Sequence, residues 1–298
     1  EYGEFDAARR YGISAGRAVL DYVPSVSLAV SAYNEQCNVG PFLESVISQK
    51  PLGYRFDEIF VISDGSTDNT AKEVNKVISK YRKDLHLPKI VFKNDTKRVG
   101  KSTRLNEMFK RLKSDFLILA DADVIFANEC VIKNLMEKFK VEKDIGLVGG
   151  NPLPLLAKTF VEKCIDVTFQ AYLPIRKNYK NGNSILSATG RIMALRYEVA
   201  KKIVVPRDTI SNDGFIYFAN LTLGYQYLCA QDATVYFRSP QNLGDQLSQN
   251  TRFAATHAFM KKYFPTEVVN REYFIPPFLL ISNMAKQTTL AKNCMNCH

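Results

Sequence analysis

The feature that most constrains the fold of this chain is the alternation of short apolar runs with helical periodicity in its first half. Apolar runs of strand length occur at residues 26–32, 58–63, 90–92 and 116–120. Between them, apolar residues recur at a helical spacing over residues 34–49, 67–81 and 101–112. Strands that alternate with helices predict an α/β fold with a mainly parallel central sheet covered by helices on both faces.

The second half of the chain is less regular. Its apolar pattern predicts strands and helices over residues 145–150, 160–172, 213–223, 234–237 and 243–263. No internal repeat or low-complexity linker divides the chain. We therefore predict one continuous domain over residues 23–263, preceded by a lead-in at residues 1–22. Residues 264–298 are interpreted as a C-terminal tail, truncated or membrane-proximal.

The composition limits the class of protein and of partner. The chain has 298 residues, of which 46% are hydrophobic and 23% charged, as in a globular protein with a sizeable core. The formal net charge of +10 favours anionic partners, including a membrane surface. No dense basic run with interleaved aromatics is present, so nucleic acid is not expected. Spread cysteines and no visible signal peptide predict a cytoplasmic protein, or one at the cytoplasmic face of the membrane.

Polar clusters follow three of the predicted strands. Asp121 and Asp123 stand directly after the run at residues 116–120, separated by Ala122. Ligands of parallel sheets bind beyond the carboxyl ends of the strands. Two such carboxylates can hold Mn²⁺ or Mg²⁺ against the phosphates of a ligand, although two acids in a solvated loop are the simpler alternative.

Three further residues at strand ends or helix starts are candidates for contacts with a nucleotide. Asp64 can accept a hydrogen bond from a nucleobase, and Glu35 can meet a ribose or base, or belong to a capping cluster. Lys101 follows Gly100 at a predicted helix start, where N–H groups and the ammonium can face a phosphate or base.

The second half supplies a candidate base and a candidate anion clamp. Asp213 begins a predicted helix, either as an N-cap or as a general base that deprotonates an acceptor hydroxyl. Gln249 and Arg252 are three residues apart and share one helix face. The planar guanidinium of Arg252 suits a diphosphate, although such a pair is also common on a solvated helix face.

Seven segments in this order resemble inverting glycosyltransferases of family two, which have the GT-A fold. The segments are SAYNEQCNVGPFLESV, VISDGSTDNT, RVGKSTRLNEMF, LADADV, SATGRIMALRYE, ISNDGFIYFANLTLGYQ and QNTRF. The resemblance covers residues 23–263. It implies a Rossmann-like nucleotide-binding half and an acceptor-binding half.

The resemblance also implies roles for particular residues and partners. It implies donor or nucleotide contacts from Tyr33, Glu35, Asp64, Lys101, Asp121, Gln249 and Arg252. Asp123 and Asp121 match the metal-binding residues, and Asp213 matches the catalytic base. The implied reaction is metal-dependent transfer, with inversion, from a UDP- or GDP-linked sugar to a glycan or lipid-linked acceptor.

Three positions depart from the family pattern. Ser63 replaces an Asp before Asp64, Asn212 replaces the usual Glu before Asp213, and Phe253 replaces Trp. The change at Asn212 leaves one acceptor-side contact open. The segment that ends at Phe253 is typical of polymer-forming members with membrane helices, so the chain either adds single sugars or stops short of a membrane part.

Other functions remain as alternatives. A sugar nucleotidyltransferase shares the layout but carries a glycine-rich segment after its first strand, where this chain has AYNE. A glycoside hydrolase also uses two carboxylates but does not require the turn at Asp64. A non-catalytic nucleotide-sugar-binding module is the alternative to an enzyme.

The C-terminus carries one separate motif. Cys294, Cys297 and His298 have the C-x-x-C-H spacing of a covalent haem site. Chance spacing is the simpler interpretation. Covalent haem attachment requires export of the protein, whereas an enzyme that uses nucleotide sugars requires their cytosolic supply.

Overall fold

The computed structural model describes residues 22–279. Residues 1–21 of the predicted lead-in and the motif at Cys294, Cys297 and His298 lie outside this range.

The strands of the described region form a single sheet. They are β1 Ser25–Ala32, β2 Arg55–Asp64, β3 Lys89–Asp95, β4 Phe116–Asp121, β5 Val124–Phe126, β6 Ile145–Pro154, β7 Ile192–Arg196 and β8 Gln226–Phe237. Their order is β3-β2-β1-β4-β7-β6-β8-β5. Pairing is parallel from β3 through β4 and between β6 and β8, whereas β7 and β5 run antiparallel to their neighbours. The predicted α/β fold with a mainly parallel sheet is confirmed.

Helices connect most of the strands. They are α1 Val39–Ile47, α2 Thr70–Tyr81, α3 Lys101–Arg111, α4 Val131–Lys138, α5 Phe160–Asn178, α6 Tyr197–Lys202, α7 Asn212–Thr222, α8 Leu243–Met260 and α9 Thr266–Tyr273. Helix α5 starts at a capping box, in which Thr159 and Glu162 exchange side-chain to backbone hydrogen bonds. It continues through Pro174 and ends at Asn178, six residues beyond the end predicted from the periodicity.

Both faces of the sheet are buried, which explains the continuous apolar runs of its strands. On one face, Val26, Leu28 and Val30 of β1 pack with α1, α2 and α4. On the other face, Ala29 packs in a cluster that includes α3, α6 and α7. Val269 of α9 is fully buried in this second cluster, so packed structure continues beyond residue 263.

No helix between residues 22 and 279 combines the length with the apolar character needed to cross a membrane.

Candidate active site

Strand register brings the predicted polar clusters to one edge of the sheet. Ser31 of β1 lies opposite Asp121 of β4, and Ala32 lies opposite Ser63 of β2. Strand β7 runs antiparallel to β4, so its start meets the end of β4. There the Asp121 N–H donates to the carbonyl of Arg191 across 3.4 Å. Residues far apart in sequence therefore meet at this edge.

A cavity of about 860 Å³ opens beside this edge, between α5, α7 and α8. Five of the predicted site residues line it: Lys101, Asp121, Asp213, Gln249 and Arg252. The other four, Tyr33, Glu35, Asp64 and Asp123, are outside its lining. The cavity thus brings together the predicted base, the clamp and part of the predicted donor site.

Lys101 and Asp121 form an ion pair at the floor of the cavity. Burial acts to lower the pKa of Lys101, but the charges of Asp121, Asp213 and Asp123 outweigh it, and the pKa is raised. The ammonium is therefore held charged, and its side chain remains 43% exposed. A charged amine at this position can attract a phosphate.

Asp213 is held by internal donors rather than serving as the helix cap. Ser211 is the N-cap of α7, and its hydroxyl accepts from the Gly214 N–H. The Asp213 Oδ1 accepts from the Ser211 hydroxyl at 2.6 Å and from the Gly214 N–H at 2.9 Å. Its Oδ2 accepts from the Gly190 N–H at 3.1 Å. The N-cap alternative for Asp213 is therefore wrong, and its carboxylate is oriented by three bonds.

Gly190 marks the point where three charged side chains converge. A β-carbon at Gly190 would lie 3.6 Å from Lys101 Nζ, 3.8 Å from the Asp213 β-carbon and 3.9 Å from Asp121 Oδ2. These are ordinary contact distances, so a methyl group would fit there without displacing the backbone. The absent side chain leaves space between the predicted base and the predicted donor site.

We expect Gly190→Ala to lower turnover by about 10- to 100-fold while the melting temperature changes little. The methyl would occupy the space between Lys101 and Asp213 and displace a reacting group. Steady-state kinetics with a UDP- or GDP-linked sugar that binds the wild type measure the effect. Gly40→Ala is a matched control, because Gly40 lies in the first turn of α1, outside the cavity lining, and a β-carbon there would lie 4.0 Å from its nearest neighbour, Glu73 Oε2. Full activity of Gly190→Ala would show that this space is not used.

Two carboxylates outside the cavity lining, those of Asp123 and Glu35, interact electrostatically with Asp121 in that lining. Protein atoms around the exposed Asp123 carboxylate displace part of its water, and this desolvation and the charge of Asp121 raise its pKa, partly offset by Arg191 and Lys101. Burial, with the charges of Asp123 and Asp121, also raises the pKa of Glu35 against a hydrogen bond from Asn38. Three mutually repelling carboxylates favour a bound cation.

The carboxylates of this site fit a metal ion whose remaining ligands come from the substrate. Within residues 22–279, no three His, Cys, Asp or Glu side chains are grouped closely enough to hold a metal by themselves. Mg²⁺ is commonly bound by one or two carboxylates together with substrate phosphates. The carboxylates of Asp121 and Asp123 carry hard oxygen atoms of this kind and stay the predicted metal ligands.

Asp64 is a buried anchor for the loop before α3. It is 4% exposed, and it accepts from the N–H groups of Val99 and Gly100 at 3.0 and 2.9 Å. Arg104 Nε donates to the same carboxylate at 2.7 Å. Burial acts to raise the pKa of Asp64, but these three donors outweigh it and lower the pKa. The nucleobase contact stays a prediction, and the observed bonds position the loop that leads into Lys101.

Gly65 is required by the same loop. Its φ is +71°, and a β-carbon would lie 2.4 Å from the backbone nitrogen of Arg98. Because an L side chain would clash with backbone at that distance, the turn after β2 needs glycine.

We expect Asp64→Asn to lower the free energy of unfolding by about 2–4 kcal/mol at neutral pH, because a buried amide cannot satisfy two N–H donors and a guanidinium. The folded-state pKa of Asp64 is lowered, so its stabilisation is present above the unfolded pKa. The difference between wild type and variant should shrink as the pH falls below about 4. Urea unfolding at several pH values measures it. Asp84→Asn, on the exposed surface, should change stability little, and an equal loss there would contradict this role.

Tyr33 forms an exposed stack with a residue that the sequence analysis missed. The Arg98 guanidinium lies 3.8 Å from the centroid of the Tyr33 ring, which is 37% exposed. The neighbouring loops interlock, because Asn34 Oδ1 accepts from the Thr67 N–H at 2.9 Å. The stacked pair therefore projects from a rigid pair of loops.

Arg252 and Gln249 line the cavity from α8. No hydrogen bond or ion pair to a described residue engages the Arg252 guanidinium, which is free to bind an anion. Phe253, at the position of the family's Trp, is 62% exposed. The departure at Asn212 has a structural consequence, because its Oδ1 accepts from the Ser102 hydroxyl at 2.9 Å and ties the start of α7 to α3.

Comparison with known proteins identifies relatives over most of the chain. Residues 27–204 match the profile described as Glycosyl transferase family 2, and residues 116–298 match Glycosyl transferase family group 2. The chain is 24% identical over 278 residues to the poly-beta-1,6-N-acetyl-D-glucosamine synthase of Staphylococcus aureus. This match covers 91% of the chain and 64% of the length of that relative.

Solved structures share the fold at low sequence identity. A mannosyltransferase from Pyrobaculum calidifontis, in complex with GDP-Man and Mn²⁺, is 16% identical with a TM-score of 0.65, covering 98% of this chain and 84% of that one. Glucosyl-3-phosphoglycerate synthase from Mycobacterium tuberculosis, with Mn²⁺ and UDP-glucose, is 17% identical with a TM-score of 0.52, covering 86% and 81%. TarS of S. aureus with UDP-GlcNAc is 15% identical with a TM-score of 0.51, covering 73% and 59%.

Proposed function

The chain belongs to glycosyl transferase family 2, and on this premise we propose that it transfers a sugar, with inversion, from a nucleotide diphosphate donor to an acceptor hydroxyl. The observation that carries the proposal is the convergence of Lys101, Asp121 and Asp213 around Gly190 in one cavity. A cation, a candidate metal ligand and a candidate base are the groups that such a displacement requires.

Asp213 is proposed to act as the general base. Its carboxylate has lone pairs beyond those used by its three internal donors, so it can accept a hydrogen bond from the acceptor hydroxyl. As that oxygen forms its bond to the anomeric carbon, its proton passes to Asp213. The bond from the anomeric carbon to the donor phosphate breaks, and its electron pair leaves with the nucleoside diphosphate. One displacement inverts the anomeric configuration.

Lys101 and Arg252 are proposed to stabilise the departing diphosphate. Asp121 and Asp123 would hold a divalent ion, Mn²⁺ or Mg²⁺, and the ion would neutralise charge on the phosphates. Relatives of the fold carry Mn²⁺ together with GDP-Man or UDP-glucose, which supports a UDP- or GDP-linked donor. Tyr33, Glu35, Asp64 and Gln249 are proposed to contact the donor as well.

The acceptor is proposed to be a glycan or a lipid-linked molecule at the cytoplasmic face of a membrane. The S. aureus relative is named as a poly-beta-1,6-N-acetyl-D-glucosamine synthase, which supports a glycan. Peripheral contact with a membrane is supported by the net charge of +10 and by exposed apolar side chains on α5 and α8. These side chains are Phe160, Val167, Leu243, Leu247 and Phe253.

A thermal-shift screen of UDP, GDP and their sugar conjugates, with and without Mn²⁺, tests the proposal. We expect one nucleotide series to raise the melting temperature, and to raise it further with the metal. NMR of the transfer product then reads the anomeric configuration, which should be inverted. No stabilisation by either series, or a retained configuration, would contradict the proposal. Release of pyrophosphate from a nucleoside triphosphate and a sugar 1-phosphate would favour a nucleotidyltransferase instead.

A further inference from the structure

One buried cation in the cavity wall has no anionic partner. Arg176, near the end of α5, is 8% exposed and lines the cavity. Its Nη2 donates to Asn151 Oδ1 at 2.7 Å and to the Pro152 carbonyl at 3.2 Å. Within residues 22–279 no hydrogen bond engages its Nε or Nη1, and no carboxylate lies within ion-pair distance. The guanidinium is therefore buried with two neutral oxygen partners and the ring of Phe169, whose centroid lies 5.4 Å from Cζ, but with no acid.

The charges around Arg176 increase this imbalance. Burial lowers the pKa of Arg176, and the positive charge of Arg191 lowers it further, against tyrosine and cysteine neighbours that raise it. The acids on the same helix have other partners: Glu162 pairs with Arg238, and Asp166 accepts from the Ser239 hydroxyl. Two arginines thus face this part of the cavity, and the nearby acids are engaged elsewhere.

Another buried arginine of this chain, Arg104, is paired with acids. Arg104 is 3% exposed and forms ion pairs with Asp64, Asp95 and Glu107. Burial of an unpaired charge is costly, so a guanidinium left without an acid in a cavity wall indicates that its partner is a ligand.

The position of Arg176 separates its ligand from the donor. It lies on the same helix face as Cys164, Thr168 and Tyr172, at intervals of four residues, and this face forms one wall of the cavity. Tyr33, Glu35 and Asp64, which are predicted to contact the donor nucleotide, are outside the cavity lining. Lys101 and Arg252, which are proposed to bind the donor diphosphate, do line the cavity and supply positive charge for those phosphates. A further anion at Arg176 would therefore arrive with the acceptor.

We propose that Arg176 binds a phosphate-type anionic group of the acceptor. Nη1 of Arg176 carries two N–H groups that no described residue engages, and they can donate to an anion that the guanidinium charge also attracts. This inference rests on the proposed function, since it specifies the acceptor of that reaction.

The test is a calorimetric titration of the full chain with inorganic phosphate, first without nucleotide and then with Mg²⁺ and saturating UDP or GDP. We expect phosphate to bind in both states, and Arg176→Gln to weaken it by about tenfold or more. Arg111→Gln is the matched control, because Arg111 pairs with Glu58 and is not in the cavity lining. Equal phosphate affinity of Arg176→Gln and the wild type would overturn the inference.

A second variant tests the site without removing the arginine. Tyr172→Glu places a carboxylate four residues before Arg176 on the same helix face, where it can pair with the guanidinium. We expect this variant to keep or gain thermal stability and to lose phosphate binding, whereas Tyr172→Gln should keep binding. If Arg176 were only a structural tie between α5 and β6, Tyr172→Glu and Tyr172→Gln would bind phosphate equally.

Two further arms identify the source of the anion and separate this inference from the proposed function. Tighter binding of monomeric dihexanoyl phosphatidic acid than of inorganic phosphate would assign a lipid, and tighter binding of glucose 6-phosphate would assign a soluble sugar phosphate; both support the site. If Arg176→Gln weakens the binding of nucleotide but not of phosphate, the guanidinium binds the donor, and the inference fails. If no nucleotide binds, the proposed function fails, and the nucleotide-free phosphate titration still decides the anion site.

Discussion

Replacing Asp213 by asparagine should lower sugar transfer by about 10³-fold while donor affinity stays within about threefold of the wild type. The asparagine side chain has nearly the same shape but cannot take a proton from the acceptor hydroxyl. It can retain only part of the network around this position, since one of its terminal atoms is a donor where Asp213 accepts from Ser211, Gly214 and Gly190. The effect of the variant should therefore appear as lower turnover rather than as weaker donor binding.

Product formation and donor binding must be measured separately for this variant. Calorimetric titration gives donor affinity, and chromatographic detection of the glycosylated product gives turnover. Asp208→Asn is the matched control, because Asp208 is exposed and accepts from the Tyr263 hydroxyl. Transfer by Asp213→Asn at the wild-type rate would remove Asp213 from the role of base.

Replacing Asp123 by alanine should lower donor affinity in the presence of Mn²⁺ by about two orders of magnitude and leave affinity in EDTA unchanged. Asp123 is exposed and no side-chain hydrogen bond of the described region depends on it, so the fold should not suffer. Its neighbours Asp121 and Glu35 add negative charge around it. Without Asp123, the cation that relieves their repulsion of the donor phosphates would be held weakly.

The titration is best performed near pH 8, because the pKa of Asp123 is raised and its carboxylate must be ionised to bind a cation. Asp144→Ala is the matched control, since Asp144 is an exposed acid at the far ends of the strands, beside the start of β6. An unchanged difference between Mn²⁺ and EDTA in Asp123→Ala would show that this residue does not hold the metal.

The sequence predicted well those elements whose burial follows one simple period. The helix predicted at residues 101–112 is α3 at Lys101–Arg111, and the strand predicted at 116–120 is β4 at Phe116–Asp121. Strand β8 was predicted only at 234–237, because its first residues include Gln226, Gln231 and Asp232, which interrupt the apolar run. Short helices such as α4, α6 and α9 span eight residues or fewer and were missed.

The order of motifs determined the family and the fold, and both are confirmed by the comparisons and the topology. The sequence also predicted Lys101, Asp121 and Asp213 as site residues, because each lies at a strand end or a helix start. These three residues converge at Gly190. These features are local, because helix starts, strand ends and burial periods are encoded within a few residues.

Only the tertiary structure decided which of these residues share a cavity and what else faces it. The internal donors to Asp64 lie 35 to 40 residues away in sequence, and Arg176 on α5 donates to Asn151 and Pro152 of β6, 25 and 24 residues away. An arginine pattern in a helix does not reveal whether an acid lies opposite, because that depends on register and packing between distant segments. The unpaired guanidinium of Arg176 is for this reason visible only in the folded chain.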